Sequence, residues 1–315
     1  SVSLLSIFFK LHMKEQLLTK KILKWYDLNK RSLPWRKNVG LEKRQYYTLV
    51  SEFMLQQTQV ATVIPYFKRF LKHIPDIKSL SKVKNDKLIK LWEGLGYYSR
   101  ARNLKKTAMI IVKNFNSRLP DNFEDLISLP GIGSYTANAI LAIAFNKPYI
   151  PLDGNIERIL KRYLYLKKIN EIQKDNLIKK KTIFGKSLRS RDYAQALMEL
   201  GAIICKPINP LCNQCPISKK CLSFKKKDFN ITKNFKRNID KYFLLKVYQK
   251  NKKYLLIKNT KFNFLKNLSI FPMEELAKPK NFNENLNFKM SNMNMNIKIK
   301  FSKDKKKFSS SYWMD

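Results

Sequence analysis

The chain has 315 residues, 44% of them hydrophobic, and 64 Lys and Arg stand against 23 Asp and Glu, a formal net charge of +41. Length allows two domains and composition a sizeable core, and the charge favours a polyanion, either nucleic acid or an anionic surface. No apolar run reaches the roughly 20 residues that span a bilayer, and the two histidines, His12 and His73, argue against a clustered-His metal site.

Residues 1–12 are apolar but lack a basic leader and a cleavage site. Met13-Lys14-Glu15 is the more natural start, so they are expected to be an extension without structural consequence. From Glu15 to Asn29 apolar residues fall at helical spacing, and Leu33-Pro34-Trp35-Arg36 ends that run. Gln45 to Leu71 reads as one long helical region broken near Pro65. Helices follow over Val83–Glu93, Ser99–Asn114, Asn122–Ser128, Thr136–Phe145, Asn155–Leu166, Glu171–Lys180 and Arg191–Ile204. The domain expected over 13–224 is therefore almost wholly helical.

Residues 225–241 are basic and weakly apolar, and read as a linker. After it the period changes. Tyr242–Gln249 and Tyr254–Lys258 read as strands, and Met293, Met295, Ile297, Ile299 and Phe301 alternate with polar residues. A second, smaller α+β domain is expected over 242–315.

All four cysteines lie close together: Cys205, Cys212, Cys215 and Cys221. Structural zinc favours two tight pairs, and disulfides favour wider scatter in secreted chains. Four thiolates in one compact loop suit a [4Fe-4S] cluster, one per iron; zinc and free thiols are the alternatives. The loop reads as a staple in a reducing compartment, and Lys206, Lys219 and Lys220 beside it suggest contact with phosphate.

Leu129-Pro130-Gly131-Ile132-Gly133 is an apolar turn opening onto a small-residue helix. Two glycines let backbone N–H groups approach a phosphate, and the helix N-terminus favours the same anion. Asp153 precedes another helix, where an ordinary Asp is an N-cap. Glu52 sits among Leu49, Val50, Phe53 and Leu55, a setting that raises a carboxyl pKa.

These stretches, with Ser51-Glu52-Phe53-Met54-Leu55-Gln56-Gln57-Thr58-Gln59-Val60 and Gly94-Leu95-Gly96-Tyr97-Tyr98-Ser99-Arg100-Ala101-Arg102, resemble the helix-hairpin-helix DNA glycosylase superfamily. Within it the chain is most similar to the MutY-type adenine glycosylases, over about residues 14–224. The resemblance implies a mainly α, two-lobed glycosylase domain with a [4Fe-4S] loop, plus a small C-terminal α+β Nudix-like domain. It implies that Glu52 is the general acid at adenine N7, that Asp153 stabilises an oxocarbenium-like sugar, and that Asn155 orders the site. Tyr135 stands where bifunctional relatives carry lysine, which implies base removal without strand cleavage. Gln57 and Tyr97 match residues that wedge into the duplex while the target base leaves the stack. Gly131 and Gly133 match the backbone grip, and Arg36 and Arg100 are expected DNA contacts.

The implied partner is double-stranded DNA bearing adenine opposite 8-oxoguanine or guanine, met by a monomer in a bacterial cytoplasm, at the nucleoid and with no membrane. The rivals are an endonuclease III-like or thymine-mismatch glycosylase and a non-catalytic iron–sulfur DNA-binding module. The C-terminal domain departs from the family pattern. Ser269 stands at a Trp position, Met273 replaces a glycine, and Ser291-Asn292-Met293 lacks the usual His.

Overall fold

The computed structural model describes residues 4–166, 188–230, 239–266, 268–277, 282–290, 293–301 and 311–314. The helix expected over Glu171–Lys180 lies outside them, as do Ser291 and Asn292.

The first helix, α1, runs Leu4–Asn29. No glycine or proline interrupts it, so it begins well before the expected Glu15 and takes in most of the supposed extension. Pro34 then opens a single 3-10 turn, Pro34–Arg36, where its missing N–H costs nothing. Next come α2 (Leu41–Leu55), α3 (Val60–His73), α4 (Ile77–Lys82), α5 (Asn85–Trp92) and α6 (Ser99–Asn114). After these lie α7 (Phe123–Ser128), α8 (Ser134–Ile143), α9 (Gly154–Leu164), α10 (Ser190–Glu199) and the short α11 (Leu222–Lys225). Asp76, Asn122 and Asp153 cap α4, α7 and α9, each accepting a hydrogen bond from a backbone N–H three residues on, which supplies a free helical donor with its partner.

The expected break near Pro65 is wrong. Pro65 lies inside α3, and the interruption falls between α2 and α3, where Gln57 adopts a left-handed φ of 58°. A single left-handed residue ends a helix by turning the next carbonyl out of line. Beyond Glu199 the last expected helix changes to a π turn, Leu200–Ile204.

The chain divides into two units, Ser1–Thr232 and Lys233–Asp315. The first has two apolar cores. One gathers Phe53, Phe67, Phe70 and Trp92 from α2, α3 and α5, with α6 and α8 packed against them. The other gathers Ile22, Ile156, Leu160 and Leu197 from α1, α9 and α10. The segments that join these cores frame the candidate site.

The second unit holds strands β1 (Ile239–Val247), β2 (Gln249–Lys250), β3 (Lys253–Lys258), β4 (Ser269–Ile270), β5 (Met273–Leu276), β6 (Leu286–Met290), β7 (Met293–Phe301) and β8 (Ser311–Met314). They form two sheets, one ordered β5-β1-β7-β6, the other β2-β3-β4 with β8 also paired to β3. The parallel β1–β7 register puts Phe243 beside Ile297, and both are buried with Phe262 and Met295. The alternation read along 293–301 holds where Ile297 and Ile299 face inward against exposed Lys298 and Lys300, but Asn296 is buried as well and Phe301 is exposed. The stretch expected as linker is helical at Lys225 and already strand at Ile239; residues 231–238 lie outside the described residues.

Candidate active site

A cavity of about 210 Å³ opens between α2, α8, the start of α9 and α10. Glu52, Tyr135, Asp153 and Asn155 all line it, although a hundred residues separate the first from the last. Glu52 is in the last turn of α2 and only 5% exposed. Burial pushes its carboxyl up to about 7; a hydrogen bond from the Tyr135 hydroxyl opposes this, the Asp153 charge adds to it, and the Arg36 charge again opposes it. Tyr135 is the second residue of α8, and burial beside two carboxyls holds its phenol well above its ordinary value. It therefore stays protonated and donates to Glu52.

Asp153 accepts 2.7 Å from the Ile156 N–H and 3.0 Å from the Asn155 amide. Burial raises its pKa, and these donors with the Arg158 charge offset only part of the rise. The ordinary N-cap role and a place in the cavity coexist in this one side chain. Asn155 in turn accepts 2.7 Å from Arg158, whose guanidinium reaches the carbonyls of Gly201 and Cys205 at 2.8 Å each. A Cβ on Gly201 would lie 2.6 Å from the Asn155 Cβ, so only glycine lets α10's continuation pass this close. Asp153 is thus tied through two side chains to the cysteine loop.

Glu199, Arg31 and Gln195 complete the polar wall and went unnoticed in the sequence. Arg31 forms a two-pronged pair with Glu199 at 2.7 and 2.8 Å, and Arg36 adds a third bond at 2.8 Å. Burial resists ionisation of Glu199, yet the two guanidiniums overcome it and hold the carboxyl below its ordinary range. The available signal was a lone acid on the apolar stripe of α10, between Ala196 and Leu200. Arg36, expected at the DNA, belongs to this wall.

The glycine hairpin joins α7 to α8. Gly131 has φ +81°, and a Cβ there would lie 2.8 Å from Phe53 and 2.9 Å from Asn103. Gly133 is extended and caps α8, with nothing within 4 Å of a would-be Cβ. The two glycines therefore differ, one required by packing and one leaving open approach to the backbone. Gln57 and Tyr97 are both exposed and both left-handed, at φ 58° and 47°. Arg100 corrects the sequence expectation. It is 6% exposed, and its terminal nitrogens donate to five backbone carbonyls, so its head is turned into the protein.

The four cysteines line one pocket in the first unit. Burial raises the Cys212, Cys215 and Cys221 thiols, Cys215 to about 12, and mutual repulsion among the thiolates adds to the rise. Arg162, 4% exposed, lies 3.5 Å from the Cys205 sulfur and holds the Lys206 and Pro207 carbonyls at 2.6 and 2.8 Å. Among the described residues no three His, Cys, Asp or Glu side chains converge on a single ion position; the thiols stand around the pocket.

Residues 50–182 match the family model described as HhH-GPD superfamily base excision DNA repair protein. The chain is 39% identical over 259 residues to the adenine DNA glycosylase of Buchnera aphidicola subsp. Schizaphis graminum, covering 80% of this chain and 73% of that one. It is 41% identical over 209 residues to the rat adenine DNA glycosylase, covering 64% of this chain but 40% of the relative. Among solved structures it is similar to a thermostable thymine-DNA glycosylase, at 27% identity and a TM-score of 0.61, over 68% of this chain and 98% of that one. An endonuclease III–DNA complex, at 21% identity and a TM-score of 0.55, shares the fold. With a helical hairpin beside a two-carboxyl cavity, and with relatives of this identity and coverage, the chain belongs to the adenine DNA glycosylase family of the HhH-GPD superfamily.

Proposed function

We propose that this protein removes adenine from mispaired DNA by hydrolysing its N-glycosidic bond, leaving an abasic site for base-excision repair. The observation that carries this reading is the pairing of buried Glu52 and half-buried Asp153 in one cavity, with Tyr135 and no lysine in its lining. Glu52, protonated up to about pH 7, donates its proton to N7 of the extruded adenine and so weakens the bond to the sugar. Asp153, kept available by its N–H donors, stabilises the positive charge that develops on the sugar as the base leaves. Water adds to the sugar carbon, its proton passes to the Glu52 carboxylate, and the acid is restored. Tyr135 orients Glu52 and offers no amine for a Schiff base, so the strand stays intact. Glu199, Gln195 and Arg36 present acceptors and donors to the edges of the base.

Double-stranded DNA is the partner, with adenine opposite 8-oxoguanine or guanine. Gly131, Gly133 and the α8 N-terminus hold the phosphate backbone, and Gln57 and Tyr97 enter the duplex. The protein acts as a monomer on bacterial chromosomal DNA in the cytoplasm. Its C-terminal unit is Nudix-like and reads the base opposite. Cys205, Cys212, Cys215 and Cys221 hold a [4Fe-4S] cluster; four thiols around an apolar pocket suit one thiolate per iron at separated corners. A bound cluster would staple the loop through these four side chains, and Arg162 organises the surrounding carbonyls.

The test is a duplex with one adenine opposite 8-oxoguanine, incubated with protein and then heated in alkali. Breakage at the adenine only after alkali is the expected result, and breakage without alkali would overturn the monofunctional reading. Tight binding with no base released from any adenine mispair would instead favour a non-catalytic binding module.

A further inference from the structure

Arg100 is oddly placed. It is the second residue of α6, where a cation opposes the helix dipole, so it is not there for the helix. Among the described residues no carboxylate pairs with it, and burial pushes its pKa down to about 10. Its partners are carbonyls from two separate segments. One terminal nitrogen donates to Phe53 and Met54 at 3.1 and 2.8 Å, and to Gln56. The other donates to Leu95 and Gly96 at 2.9 and 3.1 Å. The next residue on each segment is Gln57 on one side and Tyr97 on the other, both left-handed and both exposed. Left-handed backbone is disfavoured for such side chains and persists only where surroundings over-determine it.

The rest of α6 continues the pattern at i+3 and i+7. Asn103 packs where a Gly131 side chain would sit, and Thr107 donates to the Pro130 carbonyl at 2.9 Å. Gln56 also donates to the Gly131 carbonyl. One helix face therefore carries three loops: the Gln57 turn, the Tyr97 turn and the glycine hairpin. The α2 C-terminus carries the negative end of its helix dipole, and the buried guanidinium bonded to the Phe53 and Met54 carbonyls offsets that partial charge.

We propose that Arg100 is a positioning residue for base extrusion, fixing the separation and orientation of the Gln57 and Tyr97 turns so that both side chains meet the duplex together. This rests on the wedge reading of Gln57 and Tyr97 given above. A lysine could reach some of these carbonyls but lacks the planar fork that spans both segments.

The test uses the full chain and two duplexes. One carries 2-aminopurine, a fluorescent adenine analogue, opposite 8-oxoguanine, so that extrusion raises its emission. The other carries a stable abasic-site analogue, with no base to extrude. Arg100→Lys should slow extrusion about tenfold or more, the scale of loss expected from misplaced groups, and leave affinity for the abasic duplex unchanged. Arg100→Gln is read beside it, so that a folded variant without a buried charge is available; circular dichroism checks both. Combined with Gln57→Ala, the Arg100→Lys loss should be less than additive. Equal losses on both duplexes, additive losses, or normal extrusion in Arg100→Lys while Gln57→Ala is impaired would overturn the proposal. Normal extrusion in both Gln57→Ala and Tyr97→Ala would refute the wedge reading itself.

Discussion

A carboxyl with a pKa of about 7 is half ionised at neutral pH, and only its protonated half can give a proton to a leaving base. The single-turnover rate should therefore fall as pH rises through about 7, approaching a tenfold loss per unit on the alkaline side; a rate that stays flat from pH 6 to 9 would remove Glu52 from the role of acid. Glu52→Gln should abolish release while sparing DNA binding, and full activity in that variant would have the same force. Stability carries the same signature. The folded chain keeps the Glu52 proton up to about pH 7, while the unfolded chain releases it near the ordinary value of 4.5. Between these values the folded state binds more protons, so the stability this group contributes is full below 4.5, drains away up to about 7 and is lost above. The integrated change is about 3 kcal/mol for a fully buried group. Glu52→Gln should thus unfold at higher denaturant than the natural chain at pH 8, and the difference should shrink toward pH 4.5. The acid in the sequence was recognisable from its apolar neighbours, but Tyr135 and Asp153, which tune it, come from distant segments and meet it only once α2, α8 and α9 have packed.

Among elements, the hairpin separates two uses of glycine that look identical in the sequence. Gly131→Ala meets a positive φ and two contacts under 3 Å, so it should cost about 2 kcal/mol or more in denaturant unfolding. Gly133→Ala meets neither, and should unfold like the parent while its new methyl group obstructs the backbone's approach to phosphate and weakens DNA binding. Equal unfolding of the two variants would deny the distinction. The motif's presence was legible in Leu129-Pro130-Gly131-Ile132-Gly133; which glycine serves packing depends on Phe53 and Asn103, which no local pattern contains. The break between α2 and α3 shows the same limit. Pro65 is a visible helix breaker, but it lies early in α3, whereas Gln57 carries no breaking signal and is held left-handed beside a carbonyl gripped by Arg100. Arg100 and Glu199 are charged residues buried through partners on other elements, and no local pattern in the sequence contains those partners.

At the scale of the whole molecule, the net charge of +41 pointed to a polyanion but could not place it, because Lys and Asn abound in segments with no motif. The placement comes from the packing of two cores around one cavity, and both lie in the first unit. That unit also holds the cysteine loop, tied to Asp153 through Arg158 and Asn155. Cys215→Ala should therefore lower the melting temperature and reduce single-turnover release together, because a loosened loop moves the Cys205 carbonyl that orients Arg158; loss of stability with unchanged release would show the tie to be idle. The second unit has its own small core around Phe243, Phe262, Met295 and Ile297. A chain ending after Thr232 leaves both cores, the cavity and the hairpin intact, and should fold with the helical content of the first unit by circular dichroism. It should still release adenine, since every group assigned to bond cleavage remains. What it should lose is preference for the opposite base, measured as the ratio of release from adenine opposite 8-oxoguanine to release from adenine opposite guanine. A ratio that does not change on truncation would mean that the second unit, with Ser269 and Met273 at its altered positions, no longer reads the lesion and that discrimination is built into the helical unit. Total loss of release from a folded truncated chain would mean that the second unit contributes to the site itself.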